Sequence, residues 1–119
     1  MTTFLSRLRS ATGPSRELDD EIATLFKVVP DGMEHCGPGW WGGGGVQWDT
    51  PRYTESIDAA LTLMPPTLRW QVECDGLGFI GLIWHPGSLE SKMGESKATP
   101  AIALLIAITR HWGGEFEGF

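Results

Sequence analysis

Eight consecutive residues, Ala101 to Ile108, carry no polar side chain. A helix built from them is apolar on every side, so it must be surrounded by other elements rather than laid on a surface. The flanking residues mark its ends. Thr99 is placed to cap the first turn and Pro100 to occupy its first position. Arg110 and His111 suit the negative end of the helix dipole, and Gly113-Gly114 stops the helix. The apolar run is far shorter than the roughly 20 residues that span a bilayer, so it is a core helix, and no membrane association is expected. The rest of the chain has to supply its cover.

Two short helices are predicted upstream. Phe4, Leu5 and Leu8 share one face of the first, with Arg7 and Arg9 outward. Gly13 ends it, and after Pro14 the hydroxyl of Ser15 caps a second helix whose stripe is Leu18, Ile22, Leu25 and Phe26. Asp19 and Asp20 fit the positive end of that helix and a solvated face, which leaves them no chemical role. Thr54 is the expected N-cap of a third helix from Glu55 to about Met64, with Ile57, Ala60, Leu61 and Met64 as its buried stripe. Pro65-Pro66 terminates it.

From Thr67 to Cys74 the chain alternates strictly. Leu68, Trp70, Val72 and Cys74 point one way, with Thr67, Arg69, Gln71 and Glu73 opposite, so a half-buried strand is predicted in which Trp70 fills the core. Cys74 then lies on an apolar face, where buried free thiols are common. Asp75-Gly76 is a hairpin turn signal, and the apolar run Phe79 to Trp84 returns antiparallel. Gly78 and Gly81 bare one face of that strand for a closely packed neighbour or a bulge. Ser88 to Lys97 is open between a loop and an exposed edge strand.

Residues 30–50 form an irregular Gly/Trp-rich segment, with turn signals at Pro30-Asp31-Gly32 and Cys36-Gly37-Pro38-Gly39 and a glycine run from Gly42 to Gly45. Trp40/Trp41 and Val46/Trp48 suit the arms of an edge hairpin around that run. Two strands alone rarely make a stable sheet, so this segment or Ser88–Lys97 must add more. The expected architecture is a single α+β domain over residues 1–119: a small antiparallel or mixed sheet with helices packed on it, sandwich-like.

Fifteen acidic residues against nine Lys and Arg give a net charge of −6, which argues against direct nucleic-acid binding. Cys36 and Cys74 cannot form a disulfide framework, and the Met1–Ser10 stretch, with Arg7 and Arg9, has no signal-peptide core; a cytoplasmic setting is expected.

Catalytic chemistry finds little support. His35, Cys36, Cys74, His85 and His111 show no paired-ligand spacing, so neither a metal nor another cofactor is expected. Cys36 beside His35 resembles a nucleophile and base, but no third, orienting residue can be named. The glycine run is followed by Val46-Gln47-Trp48 rather than the Lys and Ser/Thr of a phosphate loop. Glu115 and Glu117 lie in an acidic, aromatic tail. The six tryptophans stand out. Trp40, Trp41 and Trp48 fall where poor burial is expected, and exposed aromatics anchor binding surfaces. With Arg52 and Arg69 they are the candidate binding residues, against the alternative that the three indoles pack over the sheet.

The succession Ala11-Thr12-Gly13-Pro14-Ser15-Arg16-Glu17-Leu18-Asp19, then Tyr53-Thr54-Glu55-Ser56-Ile57-Asp58-Ala59-Ala60-Leu61-Thr62-Leu63, then Trp70 in a strand and Thr99-Pro100-Ala101 opening an alanine-rich helix, resembles the small phage and prophage proteins grouped as the phage ABA-sandwich domain. The resemblance implies a compact α/β sandwich of phage or prophage origin with no settled activity and no catalytic residues. The functional expectation is a non-enzymatic protein, in the cytoplasm of the bacterial host, that inhibits a host factor such as a CRISPR effector. An acidic surface suits occlusion of a cationic nucleic-acid channel. Two alternatives stand beside it: a sponge for a nucleotide immune signal, stacking on the tryptophans with Arg52, Arg69 or Lys92 on the phosphates, and a phage structural or accessory protein that self-associates as a homo-oligomer.

Overall fold

In a computed structural model of the chain, residues 4–36, 39–42 and 47–112 are described. The elements run α1 (Phe4–Ser10), α2 (Arg16–Leu25), β1 (Glu34–Cys36), β2 (Gly39–Trp41), β3 (Gln47–Trp48), α3 (Ile57–Leu61), β4 (Arg69–Cys74), β5 (Phe79–Trp84), β6 (Ser91–Ser96) and α4 (Pro100–His111). The helices combine with two three-stranded antiparallel sheets, ordered β1-β2-β3 and β4-β5-β6, which is an α+β fold. Within Ser88–Lys97, open between loop and edge strand in the sequence, Ser91–Ser96 is a strand, and the Gly/Trp-rich segment expected to hold an edge hairpin contributes β1, β2 and β3. The latter segment pairs with itself and forms its own sheet instead of extending the main one. The turn at Gly37-Pro38, the glycine tip and Val46, the stop at Gly113-Gly114 and the acidic tail lie outside the described residues.

α4 is the centre of the molecule. Every residue from Ala101 to Thr109 is buried. Thr99 caps it as expected, its hydroxyl accepting from the Ile102 N–H at 3.0 Å, with Pro100 in the first turn. Two glycines let the sheet approach the helix backbone. A Cβ on Gly81 would stand 2.7 Å from Leu104 Cα, and one on Gly94 would stand 2.3 Å from the Ala103 carbonyl oxygen. Gly81 and Gly94 are partners across β5 and β6, so the groove crosses two strands. α1, through Phe4 and Leu8, α2, through Leu18 and Ile22, and α3, through Ala60, complete the same core.

Two element boundaries differ from expectation. α2 is capped by Ser15, its hydroxyl accepting from the Leu18 N–H at 3.2 Å. α3, however, is capped by Ser56, not Thr54, and spans only Ile57–Leu61 before turns lead to Pro65-Pro66. Thr54 is fully buried and spends its hydroxyl on Asp19 instead. Asp19 accordingly is not on a solvated face; it is 1% exposed. In β4 the alternation is present, but β4 is an edge strand. Leu68 is buried and Val72 half-buried, whereas Trp70 is 43% exposed rather than in the core and Cys74 is exposed rather than covered. The periodicity assigned the face correctly; how far α4 reaches across that face decided the burial.

Candidate functional site

The Gly/Trp segment is built on a polar anchor. The buried Asp19 carboxylate accepts from the Thr54 N–H and the Thr54 hydroxyl, both at 2.8 Å through Oδ1, and from Arg16 Nη1 at 2.8 Å through Oδ2. Nη2 of Arg16 donates to the Thr50 carbonyl at 2.6 Å. The Thr99 hydroxyl donates to the Thr54 carbonyl at 2.8 Å, so the start of α2, the 50–54 loop and the start of α4 are tied at one point. Burial, and then the Asp19 carboxylate, push the Tyr53 phenol pKa up from its ordinary 10.0.

Asp20 anchors the small sheet itself. Its carboxylate meets His35 Nε2 at 2.9 Å and accepts from the Thr50 hydroxyl, which in turn accepts from the Trp40 indole N–H at 2.8 Å. The register puts His35, Trp40 and Trp48 on one face, and their rings meet edge-on at centroid separations of 5.0 and 6.3 Å. On that face Trp40 and Trp48 turn inward while His35 stays exposed at its margin. Trp40, expected to be poorly buried, is 8% exposed, because its indole N–H finds an acceptor in Thr50 and its ring a slot between His35 and Trp48. Trp48 is half-buried and packs against the core. Trp41 shares the opposite face with Glu34 and Gln47 and is 41% exposed.

The proposed tryptophan–arginine constellation is therefore dispersed. Arg52 is exposed beside Glu55, 3.6 Å away. Arg69 stands on β4, in the other sheet, opposite Trp84. Trp41 is flanked across its sheet by Glu34 and Gln47, so no cation adjoins it there to meet a phosphate. Among the described residues no group of three His, Cys, Asp or Glu side chains could hold a metal ion. Asp20 orients His35, but the thiol of Cys36 lies outside the described residues.

The surface with binding character is one that the tryptophan count did not point to. Along β5, Phe79, Gly81 and Ile83 face α4, and Ile80, Leu82 and Trp84 face the other way. The register adds Arg69, Gln71 and Glu73 of β4 and Ser91, Met93 and Glu95 of β6 to that second face. Among the described residues α4 packs broadly on one face of this sheet and no element packs broadly across Leu82 on the other, where residues 9–12 and Arg110 line a hollow with Ile80, Met93 and Glu95 at one end. Ile80, Leu82 and Trp84 are half-buried, and Met93 is 42% exposed. An aliphatic and aromatic stripe with a polar and charged border is the make-up of a protein-interface core and rim. The signal was legible: β5 is apolar at every position except Gly81, so both its faces are apolar.

At the end of the sheet near Trp84, the rings of His85 and His111 stand 5.7 Å apart, and His111 meets Trp112 edge-on at 5.2 Å. Burial first, then the charges of His85 and Lys92, push the His111 pKa below its ordinary 6.5.

No helix of the described chain is long and apolar enough to cross a membrane. Comparison with protein-family models, with curated proteins and with solved structures finds no match to this chain.

Proposed function

We propose that the chain is a non-enzymatic binding protein that engages another protein through the open face of the β4–β5–β6 sheet. One observation carries this: a central strand apolar on both sides, with one side filled by α4 and the other, Ile80, Leu82 and Trp84, left without an element packed broadly across it among the described residues. Solvent-facing apolar residues gathered in one stripe, with a large aromatic among them, mark interaction sites far better than scattered ones do. The resemblance to phage ABA-sandwich proteins and the acidic charge favour a host factor as the partner and occlusion as the mode of inhibition, with a defence component such as a CRISPR effector the first class to test. The net charge of −6 suits a partner with a cationic channel.

The experiment is retention of bacterial host proteins on the immobilised chain, run in parallel with Leu82→Asp, Met93→Lys and Trp41→Ala. A saturable partner retained by wild type and Trp41→Ala but lost with both sheet-face variants is the expected result. Retention unchanged by both sheet-face variants, or lost with Trp41→Ala alone, overturns the assignment of the surface.

A further inference from the structure

We infer that in the free protein the open sheet face is covered by the same face of a second copy, stacked antiparallel about a two-fold axis. This rests on the proposal that the face binds protein, and it names what a partner must displace. A continuous apolar run is the pattern of a strand covered on both faces, so the half-burial of Ile80, Leu82 and Trp84 in a lone chain leaves that pattern incompletely satisfied. The second copy is singled out by how charge is placed on the border.

Across the face the residues fall into three rows: Arg69, Trp84 and Ser91; Gln71, Leu82 and Met93; Glu73, Ile80 and Glu95. The cation sits in the first row and both carboxylates in the third. A two-fold axis lying in the interface, perpendicular to the strands and over Leu82, sets each row of one copy on the opposite row of the other. Arg69 then meets Glu73 of the second copy twice over, Trp84 lies on Ile80, and Leu82 and Met93 meet their own counterparts. This is the self-complementarity an isologous dimer requires. An axis parallel to the strands would instead stack β4 on β6 and bring Glu73 onto Glu95, two like-charge contacts. Charge thus selects the first arrangement over the second.

The face is small. Six residues at about 3.3 Å rise and three strands about 4.8 Å apart give a footprint of roughly 20 by 15 Å. That is below the roughly 800 Å² per partner of a standard stable interface, so the dimer is a weak one, open to competition by a tighter partner.

Sedimentation velocity of the purified chain from about 1 to 500 µM, with Arg69→Glu, Glu73→Arg and the double exchange, tests this. Arg69 and Glu73 are both exposed, so neither reversal threatens the fold. Wild type should show a reversible monomer–dimer equilibrium. Each single reversal converts both symmetric pairs to repulsions and should weaken it about tenfold, and the double exchange should return it to within about threefold of wild type. A chain that stays monomeric at every concentration overturns the inference, as does a dimer indifferent to the single reversals or one that the double exchange fails to restore. These readings use no partner, so their failure is separable from failure of the lysate experiment.

Discussion

Asp19 and Thr54, separated by 35 positions in the chain, are joined by two hydrogen bonds: one carboxylate oxygen accepts from both the backbone N–H and the hydroxyl of Thr54, each at 2.8 Å. Because Thr54 also passes its carbonyl to Thr99 at the start of α4, this contact fixes the helix that fills the core relative to the one beside it. Asp19→Ala would leave the Thr54 N–H without its acceptor, and the Thr54 hydroxyl and Arg16 Nη1 with only the longer bonds to the Ser15 and Pro51 carbonyls, at 3.3 and 3.4 Å. A loss of about 3 kcal/mol in urea unfolding is expected. Thr54→Val should be less than additive with it, with a coupling of about 1 kcal/mol or more in the double-mutant cycle. Strict additivity would contradict the pairing.

The glycine groove predicts a steep local dependence on volume. Gly94→Ala would force a Cβ to 2.3 Å from the Ala103 carbonyl oxygen and 2.6 Å from Ile106 Cβ, both on a helix with no free side to move toward. Destabilisation of about 3 kcal/mol is expected by thermal or urea unfolding, against less than about 1 kcal/mol for Gly13→Ala, where the added methyl meets nothing within 4 Å.

Adjacent tryptophans should behave oppositely. Trp40→Ala removes a ring packed between His35 and Trp48 and the donor that Thr50 accepts, and should cost about 3 kcal/mol. Trp41→Ala, on the solvent side of the same strand, should change stability by no more than about 0.5 kcal/mol. Equal effects in urea titration would contradict the register of β1, β2 and β3.

Much of the main architecture was written in local chemistry. Ser15, Thr99-Pro100 and Asp75-Gly76 act on their own neighbours, so the caps of α2 and α4 and the β4–β5 turn followed from sequence spacing alone. In the turn, Asp75 Oδ1 accepts from the N–H groups of Leu77 and Gly78, and Gly76 takes a φ of 85°. What failed depended on distant partners. Thr54 resembles a cap and is a core hydrogen-bonding residue because Asp19 lies beside it in space. Trp70 sits on the helix-facing side of β4, but at an edge where cover runs out. The apolar character of both faces of β5 is legible in Phe79 to Trp84, but which of the two faces α4 fills depends on an element distant in the chain, so the face carrying Ile80, Leu82 and Trp84 could not be singled out locally.

Acid should weaken the fold through His111. Its pKa is held below 6.5 in the folded chain, by burial first and then by His85 and Lys92, so on this account the unfolded chain takes up this proton at higher pH than the folded one. The contribution is fully present above about pH 6.5 and is lost as pH falls through the depressed folded value. In thermal unfolding, His111→Gln should flatten the decline in Tm below about pH 6.5 relative to wild type. An unchanged pH profile would contradict this role.

The most direct measurement is face-dependent capture: the immobilised chain, its Leu82→Asp and Met93→Lys variants, each verified as folded by circular dichroism, and Trp41→Ala, all exposed to the same bacterial host lysate across a range of lysate concentrations. Saturable retention of one partner by wild type and Trp41→Ala, abolished in both β-sheet variants, is predicted. The same partner held equally by all four proteins would mean that the open side of β4–β5–β6 is not where this chain binds.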